Sequence, residues 1–336
     1  MITTMDDNGT ATPLLEVKDL KTYFRSDAGI VKAVDGVSFT VNSGETVAIV
    51  GESGSGKSVT ALSVLRLIPN PPGEIVSGEI RFAGDNLLEL SEPEARKIRG
   101  DRIAMIFQEP MTSLNPSLTI GRQVGEPIEV HRKSLGKVVR EKCIDLLRKV
   151  RIPDPERRTS SFPYEFSGGM RQRAMIAMGL ACEPQLIIAD EPTTALDVTV
   201  QAQVLDLLKQ LTRESQTALV LITHDLGVVA RYADRVHVMY AGKIVETGTA
   251  REIYNDPRHP YTVGLMNSVP RLNVDVKTPL EPIQGQPPDL SDLPAGCAFE
   301  PRCKYAVEQC RAERPKLSVT SGKHAFACWV NFKDVN

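Results

Sequence analysis

No stretch of this 336-residue sequence approaches the ~20 consecutive apolar residues that span a bilayer, so the sequence offers no membrane anchor of its own. The opening, Met1 to Pro13, carries two acids and neither a basic start nor an apolar core, which excludes a secretory signal. Formal charge is almost balanced at −2, leaving no electrostatic footprint for a nucleic acid. No segment repeats, so one core of its kind is expected rather than two. The chain is therefore expected to be cytosolic, or attached to a membrane through another protein, and in that reducing compartment its six cysteines are not expected to form structural disulfides. Four of the six nevertheless fall between Cys297 and Cys328 and need their own explanation. A hydrophobic content of 41% is ordinary for a globular protein, and the length leaves room for two or three domains.

The most informative stretch is Gly51 to Ser58, Gly-Glu-Ser-Gly-Ser-Gly-Lys-Ser. It follows the apolar run Thr46 to Val50, which reads as a strand buried on both faces, and it precedes a helical pattern over Ser58 to Leu67. Strand, Gly-rich loop and helix in this order form a phosphate cradle. Gly51, Gly54 and Gly56 let the backbone wrap an anion, and the amides of Ser53, Ser55 and their neighbours point inward. The helix N-terminus at Ser58 and Val59 adds partial positive charge. Lys57 would reach the β- and γ-phosphates of a nucleoside triphosphate, and the Ser58 hydroxyl would sit on Mg²⁺.

Alternating segments before the cradle, broken at Asp27 to Gly29 and Asn42 to Gly44, predict an antiparallel β layer. Phe24 lies in it, either stacking on a purine ring or packing within the hairpin. After a short strand at Gly78 to Phe82, residues from about 88 to 165 turn polar and helical. Val139, Cys143, Leu146, Leu147 and Val150 recur at helical spacing, which makes Cys143 a buried small hydrophobe. Cys182, at a helix end, reads as core too. Further buried strands are expected at Ile103 to Phe107, Leu186 to Ala189 and Thr217 to Thr223, with an intervening helix marked by Val200, Val204, Leu207, Leu208 and Leu211. That rhythm predicts a parallel sheet. A hairpin follows at Val236 to Glu246.

Ligands of such sheets gather at the strand C-termini. Gln108, Asp190, Glu191 and His224 stand there. Asp190 follows four apolar residues, either as a Mg²⁺ ligand or as a helix cap; beside a phosphate cradle the metal role is favoured. Glu191 is placed to orient or deprotonate an attacking water. Gln108 would offer its amide to the metal or to that water, and His224 would bond the γ-phosphate. A second glycine-rich segment, Phe166-Ser167-Gly168-Gly169-Met170, opens a helix expected over Arg171 to Cys182. It is either a plain N-cap or a second phosphate contact; one chain does not need two cradles, so the contact would serve a partner subunit.

With these residues together, the chain resembles the ATP-binding subunits of ABC transporters over roughly residues 14 to 265. The resemblance implies an α/β, P-loop NTPase (ABC-type) core over 14–269 with an antiparallel β layer and a helical subdomain at about 88–180. A flexible start at 1–13, a Pro-rich connector at 270–296 and a small C-terminal Cys-rich extension at 297–336 complete the expected organisation. It also implies roles: Gly51 to Ser58 as Walker A, Leu186 to Asp190 as Walker B, Glu191 as the catalytic glutamate, and Gln108 as the Q-loop glutamine. His224 takes the place of the switch histidine, Ser167, Gly168 and Gly169 that of the signature, and Ala195 to Asp197 that of the D-loop. Phe24 takes the adenine-stacking place. Phe166 and Met170 depart from the commonest signature, Leu-Ser-Gly-Gly-Gln.

Within the family, Arg258-His259-Pro260-Tyr261-Thr262, Gln108 to Pro116 and the cysteine tail are similar to the oligopeptide/dipeptide (and nickel) uptake group. That resemblance implies a second, non-identical ATPase subunit, two permease subunits, an extracytoplasmic peptide-binding protein, and a peripheral place on the cytoplasmic face of the membrane. Import of nickel chelates, or a soluble ABC-type ATPase unconnected with transport, are the alternatives. Cys297, Cys303, Cys310 and Cys328 supply four soft ligands at gaps wider than structural zinc uses, so a [4Fe–4S] cluster is expected, with Zn²⁺ as the alternative. His324, shortly before Cys328, reads as a surface histidine.

Overall fold

The computed structural model describes residues 12–27, 29–194, 196–268, 282–322 and 324–332. The start up to residue 11, the first half of the Pro-rich connector and Ala195 lie outside the described residues. The chain forms two compact units, one from Met1–Val41, Thr46–Leu88 and Thr223–Asn336, the other from Asn42–Glu45 and Glu89–Ile222.

The first unit opens with β1 (Leu15–Ser26), β2 (Gly29–Val41), β3 (Thr46–Val50), α1 (Lys57–Val64), β4 (Gly73–Phe82) and β5 (Asp85–Asn86). Strands β1, β2, β4 and β5 make the expected antiparallel layer in the order β2-β1-β4-β5. Its long hairpin runs in register from Leu15 opposite Val41 to Ser26 opposite Gly29. Alternation decides which face is inside: Leu15, Val17, Leu20, Val37, Phe39 and Val41 are buried. All five residues of β3 are buried as well, in keeping with a run that alternates nothing.

The second unit contains α2 (Glu92–Ile98), β6 (Ile103–Ile106), α3 (Pro110–Ser113), α4 (Ile120–Arg132), α5 (Lys137–Lys149), α6 (Pro155–Arg158), α7 (Gly168–Leu180), β7 (Leu186–Asp190), α8 (Val198–Glu214) and β8 (Ala218–Thr223). Strands β6, β7 and β8 are parallel neighbours, Ile103 lying opposite Leu186 and Leu186 opposite Ala218. Helix α8 makes the crossover and buries Val204, Leu207, Leu208 and Leu211. Helix α5 buries Val139, Cys143 and Leu147, and burial pushes the Cys143 thiol up to about 11. That cysteine is a core residue, and so is the buried Cys182.

Back in the first unit come α9 (Leu226–Tyr232), β9 (Arg235–Tyr240), β10 (Lys243–Thr249), α10 (Ala250–Asn255), α11 (Pro260–Asn267), α12 (Glu308–Ala312), β11 (Ser318–Ser321) and β12 (His324–Phe326). Strand β9 runs parallel to β3 and turns back antiparallel into β10. Strand β12 pairs with the other edge of β10, and β11 with β12. The tail thus prolongs the sheet of this unit, and Ile283, Leu290, Leu293 and Phe299 pack on the unit's core.

His324 corrects the sequence reading. It is buried, not on the surface, and its Nε2 lies 2.8 Å from a carboxylate oxygen of Glu246, itself fully buried. The backbone amides of Arg258 and His259 donate to the same carboxylate at 2.6 and 3.0 Å, which satisfies a charge that would otherwise be costly to bury.

Candidate functional site

The glycine-rich loop leaves the end of β3 and enters α1 through Gly56, whose φ of +103° lies in the left-handed region. A Cβ there would fall 2.2 Å from the Ala33 carbonyl oxygen, and one on Gly51 would fall 2.2 Å from that of Met239. Only glycine fits either place. No side chain caps α1, and the N-terminus of a helix favours an anion. Ser53 and Gly54 form the exposed tip, while Ser58 and Val59 are half-buried in the first helical turn. The Ser55 hydroxyl is buried with no hydrogen-bond partner among the described residues. Lys57 is 4% exposed, and its ammonium donates to the carbonyls of Gly51 at 2.8 Å and Glu52 at 2.9 Å. An uncapped helix end, a spare buried hydroxyl and a buried cation around glycine-walled space together fit a phosphate chain.

Glu52, which sequence reasoning passed over as a variable position of the loop, is held from outside it. Its amide donates to Tyr261 Oη at 2.7 Å, and its carboxylate is forked by Arg302 at 2.7 and 3.0 Å. His224 is exposed in the turn after β8. Asp225 beside it starts α9, its Oδ1 accepting from the amides of Gly227 and Val228 at 2.7 and 3.4 Å. Phe24 is half-buried on β1, and a Cβ on Gly73 would lie 2.6 Å from its ring. That ring therefore packs against β4 within the antiparallel layer.

In the second unit the parallel strands bring their ends together as expected. Asp190 closes β7 and is 5% exposed. Glu191 follows in the left-handed region at φ +43°, an uncommon conformation for a non-glycine residue and one that concentrates at functional sites. Its amide donates to the Ile222 carbonyl at 2.9 Å, tying the turn to β8. Gln108 Nε2 donates to Glu191 Oε2 at 3.1 Å, and Thr194 Oγ1 donates to the same oxygen at 2.9 Å. Thr194 was missed by sequence reasoning; only its spacing of three residues from Glu191 hinted at it.

The serine–glycine segment differs from expectation. Helix α7 begins at Gly168, not Arg171, so both glycines lie in its first turn. Ser167 is its N-cap, the hydroxyl accepting from the Met170 amide at 3.3 Å. Glycines cost helix stability, yet without side chains they leave this N-terminus open to approach. Phe166 is buried beneath the Arg158 guanidinium, which explains an aromatic residue at this departure from the common pattern. Asp197 caps α8 in the same way, accepting from the Val200 amide at 2.9 Å.

Known proteins share this arrangement. The family profile described as "ABC transporter" matches residues 34–194, and that of "Oligopeptide/dipeptide transporter, C-terminal region" matches residues 245–310. The chain is 52% identical to a probable peptide ABC transporter ATP-binding protein of Sinorhizobium fredii over 99% of both chains. This chain belongs to the ABC transporter family. It is similar to further ABC proteins of Bacillus subtilis: the oligopeptide transport ATP-binding protein OppD at 52% identity (96% of this chain, 90% of that one) and the dipeptide transport ATP-binding protein DppD at 50% (94% of each). Among solved structures, the dimeric post-hydrolysis state of the ATP-binding cassette MJ0796 bound to ADP and Pi superposes with a TM-score of 0.64 at 29% identity, covering 70% of this chain and 99% of that one. The ABC-type P-loop NTPase fold is therefore established for this chain, and with it its place among the family's ATPases.

The tail of this ABC protein carries four free thiols, Cys297, Cys303, Cys310 and Cys328. All four line one small cavity of about 10 Å³, with Trp329 and Tyr305. Burial pushes the thiols of Cys297, Cys303 and Cys328 up, the last to about 11, and their mutual proximity adds to each shift. Among the described residues no group of three or more His, Cys, Asp or Glu is arranged as a metal site. The donor chemistry suits a soft cation, whose charge would relieve that repulsion, whereas the space has the volume of about one water. No helix among the described residues is long and apolar enough to cross a membrane.

Proposed function

We propose that this chain hydrolyses ATP to power peptide import, as one of two non-identical ATPase subunits beneath a pair of membrane permeases supplied by an extracytoplasmic peptide-binding protein. One observation supports this above all. The likeness to proteins named for peptide transport runs through both the ATPase region and the tail, at 52% identity over 99% of the chain. The chain would work peripherally, on the cytoplasmic face.

In this reading Lys57 and the amides from Gly51 to Ser58 bind the β- and γ-phosphates, and Phe24 meets the adenine. Ser58, Gln108 and Asp190 would hold Mg²⁺, which when bound would supply positive charge against the phosphate oxygens. Glu191 takes the proton of the water that attacks the γ-phosphorus as ADP departs, and Gln108 and Thr194 aim its carboxylate. His224 donates to the γ-phosphate and keeps that water in line. Ser167, Gly168 and Gly169 present the α7 N-terminus to the ATP of the second ATPase, with Asp197 at the same boundary. Cys297, Cys303, Cys310 and Cys328 would supply the donors for a [4Fe–4S] cluster, for which the space they line would have to open, or for Zn²⁺ as the alternative, and the bound group would staple the tail.

Co-expression with the permeases tests the function. Peptide uptake and peptide-stimulated ATP turnover in vesicles are expected, with dipeptides, longer peptides and nickel chelates compared in parallel. ATP turnover indifferent to permeases and to all three solutes would favour a soluble ATPase instead. Iron and acid-labile sulfide assays on anaerobically purified chain test the metal: zinc-loaded, colourless protein rejects the cluster, and four titratable thiols without metal reject both.

A further inference from the structure

Arg302 has five N–H donors, and each meets an acceptor. Nε donates to the Gln284 carbonyl at 3.0 Å, and Nη1 to Glu52 Oε2 at 2.7 Å and Tyr240 Oη at 3.4 Å. Nη2 donates to Glu52 Oε1 at 3.0 Å and to the Ile283 carbonyl at 3.5 Å. The side chain is 4% exposed and lies over the Tyr240 ring, 5.9 Å from its centroid. A lysine offers one point charge and reproduces neither the fork nor the stacking. Three residues earlier, Phe299 packs against Tyr240 and Tyr261 with ring centroids 5.3 and 5.4 Å apart. Tyr261 is the residue whose hydroxyl takes the Glu52 amide.

The tail therefore touches the main-chain contact through Phe299, which packs on Tyr261, and it holds the side chain of one P-loop residue directly. That residue matters to its neighbours, because the Glu52 carbonyl accepts from Lys57 Nζ at 2.9 Å and from the Ser55 amide at 3.2 Å. Its carboxylate also puts a negative charge on the loop expected to bind a polyanion, and the Arg302 fork neutralises it. We propose that Arg302 is a positioning residue for ATP: by pairing with Glu52 it fixes the P-loop and cancels the charge that would repel the phosphates. Arg302 immediately precedes Cys303, and Cys297 to Cys303 is the segment that bears both Phe299 and Arg302, so the cysteine site supports the nucleotide site through it. This deepens the ATP-binding reading and rests on it.

The test uses the full chain with Mg²⁺ and the fluorescent nucleotide mant-ATP. Replacing Arg302 by Met should raise Kd about tenfold, equivalent to ~1.4 kcal/mol, with Arg302→Lys between it and the parent. In the reconstituted transporter KM should rise while kcat holds. Glu52→Gln alone should weaken binding less, and Glu52→Gln combined with Arg302→Met should recover a large part of the loss, because the uncompensated charge is gone. Parent-like Kd in Arg302→Met, or a loss that the double variant does not relieve, overturns the proposal. Should Arg302→Met fail to fold, Arg302→Lys decides by the same criterion, parent affinity counting against it. A parent chain that binds no mant-ATP would instead sink the ATP reading itself.

Discussion

The side-chain amide of Gln108 donates to the carboxylate of Glu191 at 3.1 Å, across 83 positions of sequence. Parallel pairing of β6 with β7 sets that distance, since it places the two strand ends side by side. Thr194 supports the same oxygen. Replacing Glu191 by Gln should leave mant-ATP affinity near the parent and slow hydrolysis by ~10²–10⁴, measured in an assembly whose partner ATPase is disabled. Gln108→Ala should slow turnover through the lost Mg²⁺ ligand rather than through Glu191, because the threonine hydroxyl still holds the carboxylate. Equal turnover in parent and Glu191→Gln would remove Glu191 from the base role.

Gly56 offers a test of the cradle. Its φ of +103° and the 2.2 Å approach to the Ala33 carbonyl leave no room for a methyl group. Gly56→Ala should lower stability by ~1–3 kcal/mol and weaken mant-ATP binding more than the stability loss alone would. Thermal melts and nucleotide titrations of the same preparation check this. Unchanged affinity would mean that the loop does not wrap the phosphates.

Two buried histidines set an acid limit. Burial, with the Arg235 charge acting in the same direction, holds the His237 imidazole down to about 3. Burial likewise holds His259 down to about 4, against an opposing pull from Glu246. His237 Nδ1 lies 2.8 Å from Thr247 Oγ1, and His259 Nδ1 accepts from the Tyr261 amide at 3.1 Å, contacts that suit neutral rings. As pH falls below 6.5, the ordinary value, the unfolded chain takes up protons that the folded one refuses until about pH 4. Stability is therefore fully present above that ordinary value and lost on acidification, by up to ~1.4 kcal/mol per pH unit for each histidine. Urea melts between neutral and mildly acidic pH measure the slope, and His259→Gln should flatten it by one histidine's share. A parent slope of zero in that window would refute the assignment.

Residue order alone is enough for what is local. A strand whose residues are all apolar, a glycine at every point where the loop turns, and Lys-Ser at the mouth of a helix are adjacent in the chain, so spacing alone specifies the P-loop. The polar residues that end β6 and β7 were legible for the same reason, because an apolar run of a few residues dictates where its strand stops. Tertiary structure decided the rest. The glycines after Ser167 read as the opening of a helix that starts at Arg171, and only the folded segment shows them inside α7, where the Ser167 cap offsets their poor propensity. His324 looked like a surface residue until β12 laid it against Glu246. Arg302 and Glu52 are 250 positions apart, and no pattern of neighbours connects them. Their pairing exists because the tail folds back onto the unit that carries β3, bringing a guanidinium fork and a carboxylate to hydrogen-bond distance, which depends on the path of the chain through space rather than on the order of its residues.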